Sequence, residues 1–344
     1  MDSRMIQIIQ RAAERLQRKF ATKGIILMYH RVAEKDIDPW SLCVTPQHFA
    51  EQLEVVRRLT YPVSLAQLIQ FHRNGSIPDR AVAVTFDDGY ANNLYNAKPL
   101  LESYNLPATV FVAAGYIGKS REFWWDELDQ VLLQPGRLPD QLDLQINEDA
   151  HHWELGAAAD YPEDDYHRDF DCRTQQRQPS ARLAFYFSVW RHLQPLLVEQ
   201  QQQALDDIIA WSGIKPIARS THRSLTLSEL CTLERGGLLE VGAHTVTHPL
   251  LSAHNTALQR DEIQRSKVLL EDVMGHPVTS FSYPYGAYTK ETTALIREAE
   301  FKCACSTVKT AVWQRSDRFQ LPRCDGKDWN GEEFEKQLLM WFQS

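Results

Sequence analysis

Three short segments of this chain combine residue types that can carry hydrolytic chemistry. The first reads Thr85-Phe86-Asp87-Asp88-Gly89-Tyr90. Two adjacent carboxylates directly after an apolar strand stand where α/β folds present their active-site groups, at the carboxyl edge of the sheet. Adjacent side chains diverge, so one acid can sit on a metal while the other acts on a water. Asp-Asp-Gly is equally ordinary turn chemistry. The second segment, Gly242-Ala243-His244-Thr245-Val246-Thr247-His248-Pro249, carries two histidines four apart. The preceding Leu239-Glu240-Val241 and the following Pro249 indicate a strand end entering a loop. A histidine pair alone is commonly a hydrogen-bonded core feature. Joined by an acid from a separate strand, it becomes an open facial site for Zn²⁺ or a similar divalent ion, with room for water and substrate. The third segment is Phe281-Ser282-Tyr283-Pro284-Tyr285-Gly286-Ala287-Tyr288. Proline and glycine hold a fixed turn there, which can aim a backbone N–H at a developing oxyanion while tyrosines such as Tyr283 border a sugar ring. A tight strand-to-loop corner would use the same residues.

The elements that must position these segments are short β-type runs alternating with helical patterns, the signature of an α/β protein with parallel strands. Strands are predicted over residues 24–29, 81–86, 109–112, 238–243, 278–283 and 302–306. Thr45-Pro46 opens a helix through Phe49, Leu53, Val56 and Leu59, with proline suited to its first turn. Further helices are expected over residues 99–104, 259–274 and 290–299, and one after Thr226 with Thr226 or Ser228 as its cap. Phe334, Leu338 and Trp341 fit an amphipathic C-terminal helix, with Trp313, Trp329 and Trp341 packing the closing elements. From about residue 121 to 221 the rhythm breaks into polar, irregular sequence with helical pieces around 124–133 and 183–211. This stretch reads as an insertion after the third strand. Trp124 and Trp125 open it, and tryptophans can either stack on sugar faces or fill a core.

The 344 residues, 43% hydrophobic and 24% charged, describe a globular chain able to bury a sizeable core. With 37 basic against 45 acidic residues the net charge is −8 and the cations are scattered, which argues against a nucleic-acid partner. No apolar run approaches a membrane span. Over residues 1–22, Ile6, Ile9, Ala13, Leu16 and Phe20 recur at helical spacing among basic residues. That predicts a packed amphipathic helix, with peripheral attachment to a membrane surface as the alternative, and does not read as a signal peptide. The six cysteines contain no CxxC pair and suit free thiols in a reducing compartment. A cytoplasmic location is therefore expected.

Taken together and in this order, TFDDG, HTxxH and the YPYG turn resemble the polysaccharide deacetylases of carbohydrate esterase family 4, whose shared unit is the NodB homology domain. The resemblance covers residues 24–118 and 223–328. It implies a distorted (β/α)₇ barrel over residues 23–344, interrupted by the 121–221 insertion, and metal-dependent removal of N-acetyl groups from amino sugars. By motif position Asp87 would be the general base, Asp88, His244 and His248 would hold the metal, and the Tyr285 N–H would help stabilise the oxyanion. The ion implied is Zn²⁺, with Co²⁺, Ni²⁺, Mn²⁺ and Fe²⁺ as alternatives. Two departures stand out. Many members place an arginine in the third motif, where this chain has Ser282. Many also supply a late histidine from Leu-x-x-His, where this chain reads Leu321-Pro322-Arg323-Cys324-Asp325. The early Leu27-Met28-Tyr29-His30-Arg31-Val32 looks like the opening of the poly-N-acetylglucosamine deacetylase branch. His30 is accordingly expected as the general acid, and Arg323 as the residue that orients Asp87 from another strand.

The expected substrate is an N-acetylated amino sugar in a polysaccharide or its biosynthetic precursor. Two other readings keep the same barrel: a deformylase or other amide hydrolase on a non-polymeric substrate, and a glycan-binding barrel without turnover.

Overall fold

The computed structural model describes residues 21–34, 37–146, 148–170 and 179–343. The amphipathic helix expected over residues 1–22 lies, but for Ala21 and Thr22, outside the described residues. Seven parallel strands carry the fold: β1 (Gly24–Tyr29), β2 (Ala81–Phe86), β3 (Ala108–Val112), β4 (Leu239–Ala243), β5 (Ser280–Ser282), β6 (Cys303–Cys305) and β7 (Cys324–Asp325). β1 and β2 are buried at every position. A strand covered on both faces needs an unbroken apolar run, which both possess. The spatial order is β6-β5-β4-β3-β2-β1-β7, with the short strand Tyr61–Pro62 added beside β2. The two ends of this path meet. Leu321 bridges Cys305 in parallel, and three residues later Cys324 pairs with Leu27 of β1. The result is a distorted (β/α)₇ barrel.

Helices fill the crossovers between these strands, among them Pro46–Leu59, Leu65–Asn74, Lys98–Tyr104, Thr256–Met274 and Lys290–Glu298. Their ends follow local chemistry. Thr45 accepts from the His48 N–H ahead of Pro46, and Thr226, not Ser228, forms a capping box with Glu229 ahead of Leu227–Leu233. The closing helix Gly331–Gln343 buries Phe334 and Leu338. A π-helical turn over Asn93–Ala97, which residue spacing does not reveal, precedes Lys98–Tyr104. Such turns recur at functional sites, and here Asn93 and the preceding Asn92 grip the chain after β1. Asn93 donates to the His30 carbonyl at 2.8 Å, and Asn92 accepts from the Val32 N–H at 3.1 Å.

Between β3 and β4 the chain builds a separate layer. Strands Gln141–Ile146 and Asp149–Glu154 form an antiparallel hairpin, which corrects the irregular reading of this stretch. Leu142, Leu144 and Ile146 alternate in burial with polar residues, and so short a period-two signal is diluted by its neighbours. Helices Trp124–Leu132, Ala181–Leu193 and Val198–Ser212 pack with it. The fully buried Arg182 ties the layer together by donating to the carbonyls of Leu132 and Ala159 at 2.9 and 2.7 Å. The apolar cluster of this layer, including Trp125, Leu128, Leu144, Leu183 and Ile208, also takes in Tyr90 and Ala113 of the barrel. Among the described residues no helix is long and apolar enough to cross a membrane. Cys43, Cys231, Cys303, Cys305 and Cys324 are free thiols.

Candidate active site

At the carboxyl ends of the strands lies a cavity of about 880 Å³, with Asp87, Asp88, His244 and His248 in its lining. Asp87 and Asp88 leave β2, and His244 leaves β4, two strands away across β3. The backbone that presents them is unusual. Asp88, Thr245, His248 and Tyr285 all have positive φ, at 72°, 64°, 58° and 58°. For residues with a Cβ this region costs on the order of 1–3 kcal/mol each and persists only where surrounding contacts impose it. One such contact is Glu262, a buried acid on helix Thr256–Met274. Its carboxylate accepts from the N–H groups of Val246 and Thr247, both at 2.8 Å, and from the Thr247 hydroxyl at 2.7 Å. The loop carrying both histidines is thereby fastened to the helix behind it.

The donor atoms of Asp88, His244 and His248 all lie within 4.8 Å of one another. His244 Nδ1 is 2.7 Å from the Ser282 carbonyl, an acceptor that requires the proton on Nδ1. The lone pair therefore sits on Nε2, which faces Asp88 Oδ1 at 3.6 Å. His248 Nε2 is 3.4 Å from the same oxygen. Both separations exceed an ordinary N–H···O bond of about 2.7–3.2 Å. They match the roughly 3.3–3.6 Å between donor atoms around a tetrahedral ion with bonds of about 2.0–2.2 Å. Electrostatics agree with that geometry. Burial lowers the pKa of His244, and burial followed by His244 lowers that of His248 well below the usual value, so both imidazoles are neutral. Burial, then Asp87 and Asp126, raises the Asp88 carboxyl well above its ordinary range. A buried acid under that pressure, between two neutral imidazoles, suits a divalent cation, so the donor set fits a metal ion.

Asp87 is held differently. Arg323 places Nη1 2.7 Å from its Oδ1 and Nη2 2.6 Å from its Oδ2, a bidentate pair with the guanidinium fully buried. Ser282 Oγ completes the cluster, accepting from Arg323 at 2.8 Å and donating to Asp87 at 3.3 Å. Burial alone would raise the Asp87 carboxyl, but Arg323 and His244 outweigh it and hold it below the carboxylate range. Thus an arginine arriving from just before β7 occupies the space beside Ser282 in the third segment. His30 lines the same cavity. Burial pulls its pKa down to about 4, with Asp87 pulling the other way. Tyr285 also lines the cavity, in a turn whose next residue, Gly286, has φ 68° and no room for a Cβ against Thr307.

Two expected sugar-contacting residues are not there. Tyr283 is completely buried, and its hydroxyl donates to the Phe319 carbonyl at 2.8 Å. Side chains alternate along β5, so Phe281 and Tyr283 face the helical layer while Ser282 faces Asp87. Trp124 packs inside the insertion, its ring 5.7 Å from those of Trp125 and Trp190, and does not line the cavity. Neighbours on a helix diverge by about 100°, so only one of the tryptophan pair is aimed at the histidines. That one is Trp125, whose ring lies 4.8 Å from His248. Its indole donates to Tyr90 Oη at 3.0 Å, and Tyr90 donates on to Asp126 at 2.7 Å.

Sequence reasoning overlooked Glu262 and this Tyr90–Asp126 support. The signal for Glu262 was present, because Gln259, Glu262, Ile263, Ser266 and Leu270 form the buried stripe of one helix. An acid on such a stripe needs partners. Tyr90 precedes β3 in the sequence and Asp126 follows it, and no local pattern links them.

The polysaccharide deacetylase family profile matches residues 74–148 and 218–304. Poly-β-1,6-N-acetyl-D-glucosamine N-deacetylase of Escherichia coli K12 is 34% identical over 86 residues, 24% of this chain and 13% of that protein. The protein of the same name from Staphylococcus epidermidis is 31% identical over 112 residues, 28% of this chain and 38% of the other. The alignments therefore span well under half of these relatives. Among solved structures, Streptococcus pyogenes deacetylase PplD in complex with acetate superposes with a TM-score of 0.57 at 18% identity, over 94% of this chain and 99% of that one. IcaB from Ammonifex degensii gives 0.56 at 17% identity, over 94% and 98%. At such identities the likeness is one of fold.

Proposed function

The chain belongs to the polysaccharide deacetylase family, and from that premise we propose that it hydrolyses the N-acetyl groups of amino sugars in a glycan, using a divalent ion, Zn²⁺ first among the candidates. The observation that carries this reading is the convergence of Asp88, His244 and His248 beside a separate carboxylate, Asp87, locked by Arg323. The relatives named for poly-β-1,6-N-acetyl-D-glucosamine support a substrate of that kind.

In this mechanism Asp88, His244 and His248 hold the ion, which when bound supplies Lewis acidity toward the amide carbonyl and a more acidic water. Arg323 keeps Asp87 ionised and oriented as the base that takes the water's proton. The Tyr285 N–H donates to the oxyanion that develops on the former carbonyl oxygen. The leaving nitrogen must be protonated before the C–N bond breaks, because an amide anion is far too basic to depart. His30 supplies that proton. It is neutral in the resting cavity, where burial holds it near 4, so it takes up a proton from solvent as negative charge develops beside it and passes that proton to the nitrogen, while the proton on Asp87 returns to solvent with the products.

The test is acetate release from N-acetylglucosamine oligosaccharides by metal-loaded protein, before and after chelation. Release that chelation abolishes and the ion restores is expected. Release only from a non-sugar amide, binding without release, or release indifferent to chelation would each overturn the reading. His30→Ala should lose about 10²–10⁴-fold in kcat while still taking up metal. Full turnover in that variant would remove His30 from the acid role.

A further inference from the structure

We propose that Asn93, with Asn92 and Asn96 beside it, positions His30 for proton transfer to the leaving nitrogen. The proposal rests on the deacetylase reading above, with His30 as its acid, and adds the residues that hold that acid in place. His30 stands where the chain leaves β1, between Tyr29 and the two-residue strand Arg31–Val32. The pairing of β1 with β2 ends one residue earlier, at Tyr29. The His30 carbonyl accepts instead from a side chain, the Asn93 amide, at 2.8 Å.

The bonds on either side of His30 come from the same stretch of chain. The Asp87 N–H donates to the Tyr29 carbonyl at 2.9 Å. Asn92 Oδ1 accepts from the Val32 N–H at 3.1 Å, and Asn96 Nδ2 donates to the Val32 carbonyl at 2.7 Å. Residues 87–96 thus bracket His30 from both sides, and the base and the acid are referred to one continuous piece of backbone. Adjacent side chains on a helix diverge by about 100°. Asn92 and Asn93 nevertheless both reach residues 30–32, where the helix runs as an i→i+5 turn. Turns of that kind are rare.

Stability gives little reason for an amide at this place. Asn93 is completely buried, and its Oδ1 has no hydrogen-bond partner among the described residues. A stranded buried acceptor costs at least as much as one hydrogen bond contributes. What the Asn93 side chain supplies is the placement of the His30 backbone. Among the described residues no hydrogen bond holds the His30 ring, which lines the cavity. Its aim therefore depends on packing and on where that backbone is held.

The test is a double-mutant cycle on the metal-loaded full chain, read as acetate release from N-acetylglucosamine oligosaccharides. Asn93→Ala, His30→Ala and the two together are compared, with metal uptake measured for each. Misplacing a reacting group by about 1 Å costs on the order of 10²-fold, so Asn93→Ala should lose about 10–100-fold in kcat at unchanged KM and metal uptake. With His30 already replaced, adding Asn93→Ala should cost nothing further, because no acid is left to place. Asn96 is only partly buried, so Asn96→Ala is the milder variant should Asn93→Ala fail to fold. It should show the same non-additivity with a smaller loss. Losses that multiply in the double variants would overturn the proposal, because the asparagines would then act on something other than His30. Full turnover in Asn93→Ala and Asn96→Ala would overturn it too, and both results leave the deacetylase reading standing. No acetate from the unmodified protein would overturn that reading, and the proposal with it.

Discussion

Replacing Arg323 with alanine tests how the base is held. The guanidinium is fully buried and every nitrogen is engaged: Nε with the Ser306 carbonyl, Nη1 with Thr85 and Asp87, Nη2 with Asp87 and Ser282. In Arg323→Ala the Asp87 carboxylate keeps the Ser282 hydroxyl at 3.3 Å and loses both charged donors. Stranding one partner of a buried pair costs about 3–5 kcal/mol, a large share of the roughly 5–15 kcal/mol by which domains are stable. The pH dependence has a definite sign. In the unmodified protein burial, which raises Asp87, is outweighed by Arg323, so its pKa lies below the unfolded value. That contribution is present above the unfolded carboxylate pKa and is lost as pH falls through the folded one. Without Arg323 the burial dominates, the folded pKa rises, and stability is lost as pH increases through the carboxylate range. Urea unfolding of both proteins at equal metal loading should show a stability gap that widens from about pH 4 to pH 7. The acid limb of the pH–rate profile should move up in the variant, with Arg323→Lys intermediate, because lysine keeps the charge and loses the fork. A gap independent of pH, or an unmoved acid limb, would refute the role given to Arg323.

Three further outcomes follow from the same geometry. Glu262→Ala removes three hydrogen bonds from the histidine loop, and metal affinity measured by calorimetric titration should fall about 10–100-fold. Unchanged affinity would show that the loop holds its positive-φ residues without that strap. Tyr283→Phe leaves the buried Phe319 carbonyl short of a donor, so unfolding should become about 1–3 kcal/mol easier while kcat/KM stays the same. A selective rise in KM would return Tyr283 to the substrate. Gly286→Ala puts a Cβ against Thr307 at a backbone φ of 68°. It should lower the melting temperature and reduce kcat, because it displaces the Tyr285 N–H. Equal melting temperatures would mean the turn has slack that its contacts do not suggest.

Much of the barrel was readable because its signals are local. The continuous apolar runs of β1 and β2 could only be strands covered on both faces, and the acid pair after β2 and the histidines after β4 stand at strand ends in any parallel sheet. The insertion hairpin was lost because three alternating apolar residues among polar ones carry too little periodicity. Tyr283 was misplaced because a turn rich in aromatics resembles a sugar platform until the parity of β5 is known. Once Ser282 faces Asp87, Tyr283 must face away.

The amino-acid order on its own settled which residue types stand at the ends of which strands, since burial pattern and turn chemistry act over a few neighbouring residues. It also nominated Arg323 and His30. Only the closed sheet decided that Arg323, 236 positions beyond Asp87, meets it in a two-bond fork. Only tertiary packing set Trp40 against Trp190, and Glu262 beneath the histidine loop. The physical reason is that local spacing specifies the face a side chain occupies, whereas which faces meet depends on the register and curvature of strands assembled from distant parts of the chain.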